Sequence, residues 1–191
     1  MEFKNTIQSL QKLGGSIIKE GRGILKQKKK QTKANTLYND FDYLVTSSKD
    51  SVTLEFEFGN ADDYWQFVDE GVRGAGGYKG SGKMRGGKTK FRFGSGKGRG
   101  NWQDFKMSIK RWISNKPLRL RGKSGRFASK TETNINSAVF LIQRAIYQRG
   151  LERTQFFSKP YTQQFKKQEN KILEAFANDV ENELQKTLNK N

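Results

Sequence analysis

An α+β fold is predicted by three features of this 191-residue sequence. A run near residues 52–58 alternates apolar and polar side chains with a period of two, stripes of apolar residues at helical spacing lie on both sides of it, and a glycine-rich basic segment interrupts the pattern. The predicted arrangement is an N-terminal helix, an antiparallel β-hairpin or small sheet packed against C-terminal helices, and a long basic Gly-rich insertion.

In chain order, Leu10, Leu13, Ile17, Ile24 and Leu25 predict an amphipathic helix from about Asn5 to Lys30, with Gly14, Gly15, Gly21 and Gly23 counting against it. Aromatic and branched residues from Leu37 to Val45 predict a strand. Its antiparallel partner is read from Val52, Leu54, Phe56 and Phe58, with Thr53, Glu55 and Glu57 on a wet face. Asn60 is placed to cap a short helix whose Tyr64, Trp65, Phe67 and Val68 bury against the hairpin, and Gly71 to end it. Trp102, Phe105, Ile109 and Trp112 share a helical face that stops before Pro117. Trp65, Trp102 and Trp112 read as core anchors, with an interface role as the alternative. Residues 117–131 alternate Leu and Arg about a Gly turn, which predicts a small basic hairpin. Ile135, Ala138, Val139, Ile142, Ala145 and Ile146 predict a helix ended by Gly150. An extended connection follows, in which Pro160 biases Lys159 away from helical geometry. The last helix is predicted from about Thr162 to Leu188, with Phe165, Ile172, Phe176, Val180 and Leu184 inward.

These elements divide the chain into an N-terminal helix and basic linker (1–34), a discontinuous α+β core (35–71 and 132–188), and a segment holding the basic Gly-rich loop, helix 101–115 and basic hairpin (72–131). Charge is distributed unevenly over them. Residues 34–70 carry −8 and residues 71–131 carry +17, of a total of +18. Twelve of the twenty Gly lie between Gly71 and Gly100, so 72–100 reads as a long mobile loop, costly to order and poor in groups to bury.

Several chemistries are excluded by composition. The chain has no Cys and no His, which removes thiol nucleophiles, imidazole bases and the usual zinc sites. The acidic pairs Asp62–Asp63 and Asp69–Glu70 are adjacent in sequence and do not share a helical face, and Glu55 with Glu57 lies on the wet face of the hairpin. The string Gly77 to Met84 differs from the phosphate-binding pattern at one position, where Met84 replaces the hydroxyl residue that ligates magnesium, and its flanks lack the strand and the helix. It reads as a chance match. The expectation is a protein without enzymatic activity, cofactor or metal. No apolar run suits a secretory signal or a membrane span, so a soluble protein without a membrane partner is expected.

The basic segment is the candidate contact surface: Arg73, Lys79, Lys83, Arg85, Lys88, Lys90, Arg92, Lys97, Arg99, Arg119, Arg121, Lys123 and Arg126. Cations interleaved with Phe91 and Phe93 suit flexible nucleic-acid contacts, with charge on phosphates and aromatic side chains on bases. An acidic protein surface, such as the 34–70 segment of a neighbouring copy, is the rival owner. As a plain structural alternative, Phe91 and Phe93 alternate with Lys90 and Arg92 as residues of an edge strand do.

The run YWQFVDEGVRG resembles a motif of the head-tail connector, neck and tail-completion proteins of tailed bacteriophages, at Tyr64, Val68, Asp69 and Gly71. RGLERTQFFSKPY is similar to that family's segment before a closing helix, at Gly150, Phe156, Phe157 and Pro160. The chain departs from the pattern at Val72 and in the long basic segment. The resemblance implies a virion structural protein of the neck or tail, made in the host bacterial cytoplasm. It further implies assembly as a homo-oligomeric ring, six- or twelve-fold, with portal, neck or tail proteins as neighbours and with nonspecific contact to the genomic DNA passing through. A small basic nucleic-acid-binding protein is the alternative.

Overall fold

The computed structural model describes residues 3–28, 36–76, 85, 88–95, 102–115, 120–121, 124–129 and 131–189. Its elements are, in order, α1 (Lys4–Gln27), α2 (Thr36–Asp40), β1 (Asp42–Ser47), β2 (Val52–Glu57), a 3₁₀ turn (Gly59–Ala61), α3 (Trp65–Glu70), β3 (Val72–Arg73), α4 (Trp102–Asn115), β4 (Leu120–Arg121), β5 (Phe127–Ala128), α5 (Glu132–Arg149), β6 (Gly150–Leu151) and α6 (Ser158–Leu188). The strands form three two-stranded antiparallel sheets, β1–β2, β3–β6 and β4–β5. The fold is α+β, as the sequence predicts.

The chain forms two compact units, one of residues 1–69 and 154–191, the other of residues 70–153. This differs from the expected division at both ends. Residues 132–153 belong with α4, because the Val139 stripe of α5 meets Ile109 and Ile113 rather than the hairpin. The N-terminal helix is part of the first unit's core, to which α1 supplies Leu13, Ile17, Ile18 and Leu25.

In the first unit these side chains meet Leu37, Phe41, Phe58, Ala61 and Phe156. Phe41 is the centre: it stacks on Phe58 at 5.2 Å and meets the edge of Phe156 at 5.3 Å. Each such fully buried side chain contributes about 1.5–3 kcal/mol. The α1 glycines, which count against a helix by propensity, are required by packing. A Cβ on Gly14 would lie 2.5 Å from the Tyr43 ring, and one on Gly21 would lie 2.6 Å from both the Phe156 carbonyl and Phe41. In β1–β2 the register sets Tyr43 opposite Phe56 and Val45 opposite Leu54 on the inner face, leaving Glu55 and Glu57 exposed as predicted.

Four expectations about elements are corrected. The strand predicted from Leu37 begins only at Asp42, because Leu37 and Phe41 bury from a helical turn that Asp40 ties down by accepting from the Asn60 amide and side chain, both at 3.3 Å. Phe67 is exposed, whereas Trp65 stacks on Phe58 at 4.2 Å. Helix α6 starts at Ser158, with Pro160 in its first turn, where the N–H that proline lacks has no partner in any helix. Its inward face is Gln164, Gln168, Ile172, Ala175 and Asp179, while Phe165, Phe176 and Leu184 are exposed.

In the second unit, α4 and α5 bury Ile109, Ile113 and Val139, with Phe105, Ile135, Ala138, Ile142 and Ile146 packed around them. The buried Gln143 is satisfied by donating to the Trp102 carbonyl at 3.3 Å. Trp102 and Trp112 are about half exposed and are not core anchors.

Candidate functional site

The two motif segments form structural joints. Val68 carbonyl accepts from the Thr154 amide at 3.1 Å and from its hydroxyl at 2.7 Å, and the Asp69 carbonyl accepts from Gln155 at 2.9 Å. The Asp69 side chain is buried and caps α6, accepting from the Phe157 amide at 2.8 Å and the Ser158 amide at 3.3 Å. Phe156 and Pro160 are fully buried, and Tyr64, Val68 and Phe157 pack on the same core. Gly71 ends α3 at φ +77°, and Gly150 ends α5 at φ +88°. Side chains there would strike the Leu151 and Val72 carbonyls respectively, across the β3–β6 pair.

The first unit holds a second buried carboxylate. Asp179 on α6 accepts from the Asn5 amide (3.1 Å) and side chain (2.9 Å) and from the Thr6 amide (2.8 Å) and hydroxyl (2.7 Å). It serves as the N-terminal cap of α1, whose own cap residue Phe3 offers no side-chain acceptor. Burial opposes its charge, but the hydrogen bonds from Thr6 and Asn5 outweigh burial and hold its pKa below the ordinary value. Apolar periodicity carries no signal for such a residue.

Charge follows the division into units. Residues 70–153 hold 21 Lys and Arg against 4 Asp and Glu, +17, whereas the remainder of the chain holds 16 against 15, +1. Of the thirteen predicted contact cations, Arg73, Arg85, Lys88, Lys90, Arg92, Arg121 and Arg126 are described, and all seven are exposed. Lys79, Lys83, Lys97, Arg99, Arg119 and Lys123 lie outside the described residues, as does the string Gly77 to Met84. Part of the segment expected to be a mobile loop is fixed in place. The Arg73 amide donates to Phe91 carbonyl and the Phe93 amide to Arg73 carbonyl, both at 2.9 Å, which adds residues 91–93 beside β3 as the edge-strand alternative requires. Glu70 anchors the same stretch, accepting from the Thr89 hydroxyl at 3.2 Å, with Lys90 at 3.8 Å.

Aromatic side chains line this surface. Phe93 packs against Phe105 (6.4 Å) and Tyr147 (6.0 Å), and Trp102 stands edge-on to Tyr147 at 5.5 Å. Lys90 lies 5.0 Å from the Phe91 ring centre, and Arg121 lies 4.9 Å from that of Phe127 on the β4–β5 hairpin. Exposed Lys106, Arg111 and Arg153 in the same unit extend the positive charge beyond the predicted set.

Comparisons with protein-family models, with curated proteins and with solved structures find no match to this chain. Among the described residues no group of His, Cys, Asp or Glu is arranged to hold a metal ion, and no helix is long and apolar enough to cross a membrane. The geometry offers exposed cations and partly exposed aromatics on a packed helix pair.

Proposed function

We propose that the chain is a virion structural protein of the neck or tail of a tailed bacteriophage, a connector or tail-completion subunit that assembles as a ring around the path of the DNA. It performs no chemical step, it is made in the host cytoplasm, and portal, neck or tail proteins are its neighbours. The observation carrying this reading is the exposure of large apolar side chains in the inserted unit, where Phe140 and Leu141 are 61% and 62% exposed and Met107, Trp112 and Phe127 also face solvent. Large apolar groups left outside a core, set among charges, mark contact surfaces. Complementary charge for head-to-tail contacts is present in the −8 of residues 34–70. The motif resemblance supports the virion assignment.

Light scattering and negative-stain microscopy of the purified protein test this reading. A closed ring is expected, lost in Phe140→Asp/Leu141→Asp with unchanged circular dichroism. A ring that survives both substitutions, or a protein that enters phage particles with them, refutes the assignment of the contact surface.

A second reading, nonspecific DNA binding, is favoured by the Lys90–Phe91 and Arg121–Phe127 pairs, which present a cation and an aromatic face together. Its signature is an affinity that falls steeply with salt and weakens in Arg85→Glu/Lys88→Glu/Arg92→Glu. If this triple variant assembles into particles normally but packages or ejects DNA abnormally, DNA contact is the primary role.

A further inference from the structure

The longest helix leaves a row of large apolar residues in solvent. On α6, Phe165, Leu173, Phe176 and Leu184 are exposed, Leu173 and Leu184 by 61% and 60%, and one edge of the row adjoins the first unit's packing where Phe176 stacks on Phe3 at 6.1 Å. Positions 165, 173, 176, 180 and 184 fall within about 50° of one direction at 100° per residue. That direction lies about 110° round the helix from the centre of the inward face of Gln164, Gln168, Ile172, Ala175 and Asp179.

This row maps onto itself when the helix is reversed about the midpoint between Glu174 and Ala175. Reversal places Phe165 opposite Leu184, Leu173 opposite Phe176 and Tyr161 opposite Leu188, apolar on apolar in each case, and Lys166 opposite Glu183. Glu169, opposite Val180, is the polar interruption. The charges obey the same reversal: Ser158–Lys171 holds four Lys and one Glu, +3, and Ile172–Leu188 holds one Lys and four acidic residues, −3. Two copies side by side in parallel set like halves together, whereas two antiparallel copies set opposite halves together.

We propose that the exposed face of α6 binds the α6 of a second copy of this chain, antiparallel, about a two-fold axis at Glu174–Ala175. The rows Phe165–Glu169–Leu173 and Phe176–Val180–Leu184 are spaced by four residues. Row follows row after eleven residues, a period of about 3.67 per turn that keeps the face on one side of a nearly straight helix, so the two axes lie close to antiparallel, and Lys166 reaches Glu183 of the second copy as Leu173 meets Phe176. An isologous contact closes at two copies, whereas a ring needs head-to-tail contacts. The inference therefore stands apart from the proposed virion role and uses a different surface from Phe140 and Leu141.

The test uses the full chain at tens of micromolar. In sedimentation velocity, Leu173→Glu/Leu184→Glu is expected to remove one twofold step in mass with unchanged circular dichroism. Lys166→Glu alone weakens the pair at least tenfold, and Lys166→Glu/Glu183→Lys restores it. Because the chain has no Cys, orientation can be read by oxidation: Leu173→Cys cross-links across the axis, whereas Leu184→Cys does not, since its counterpart lies beside Phe165, about 28 Å along the helix. An unchanged mass in the Leu173→Glu/Leu184→Glu variant, no restoration by the charge swap, or equal cross-linking at both positions overturns the proposal. If only the Phe140 and Leu141 substitutions change the assembly, the two-fold contact is refuted and the ring reading stands.

Discussion

Asp179→Ala removes the acceptor that holds the N-terminus of α1 to α6. Four donors lose their partner, the Asn5 and Thr6 amides, the Thr6 hydroxyl and the Asn5 side-chain amide. A hydrogen bond to a charged group is worth about 1.5–3 kcal/mol, and a buried donor left unmade costs about 1–3 kcal/mol. The Asn5 side chain can turn to water, and the Thr6 hydroxyl can rotate. The two amides cannot, so the expected loss is about 3 kcal/mol, with roughly half of it in Asp179→Asn, which keeps one acceptor oxygen. The assay is urea unfolding followed by helical circular dichroism at pH 7 and at pH 2.5. Because the folded pKa lies below the ordinary 3.8, the carboxylate's contribution is fully present above the unfolded pKa and is lost as pH falls through the folded one. The gap between parent and Asp179→Asn should therefore be widest at pH 7 and shrink below pH 3.8. A variant within about 0.5 kcal/mol of the parent at pH 7, or a gap independent of pH, would refute the clamp.

Three further outcomes are expected. Gly21→Ala should destabilise by about 1–3 kcal/mol despite alanine's better helix propensity, since its methyl meets the Phe156 carbonyl, while Gly23→Ala, with open space around it, should stabilise by up to about 1 kcal/mol; denaturant midpoints of the pair check both. Asp69→Ala, which uncaps α6, should cost about 0.5–2 kcal/mol and loosen hydrogen exchange at Phe157 and Ser158 first. The triple reversal Arg85→Glu/Lys88→Glu/Arg92→Glu should leave the thermal midpoint nearly unchanged, because exposed charges add little to stability; a large drop would make these cations structural.

Local signals were legible and partner choice was not. The alternation from Val52 to Glu57 survives in β2 because one face of a hairpin stays wet, and Gly71 and Gly150 end their helices because both need positive φ. The α5 stripe was legible too, but a stripe does not say what it packs against, and Ile109 and Ile113 claimed it. On α6 the misreading has a physical origin. Close approach of α1 favours Ala175, and the Asp179 cap must be buried, so small and polar residues share the inward face with Ile172, and Phe165, Leu173 and Leu184 face out. Within the contact surface, the unit carrying the charge was legible from composition, whereas the pinning of residues 91–93 beside β3 is a long-range pairing that no local pattern announces.

The interruption of the first unit by residues 70–153 fixes an order of events during synthesis. The core around Phe41 needs Phe156, and the α1 cap needs Asp179, so neither can close until those residues have left the ribosome. The 70–153 unit, by contrast, contains every member of its core among the described residues and can fold while α6 is still being made. Nascent chains stalled with Arg153 just clear of the ribosome should thus resist protease in α4 and α5 while α1 is still cut. Until Phe156 and α6 arrive, the apolar face of α1 has only the side chains of residues 37–61 to cover it, and that interval is when this chain is most open to misassociation with its neighbours.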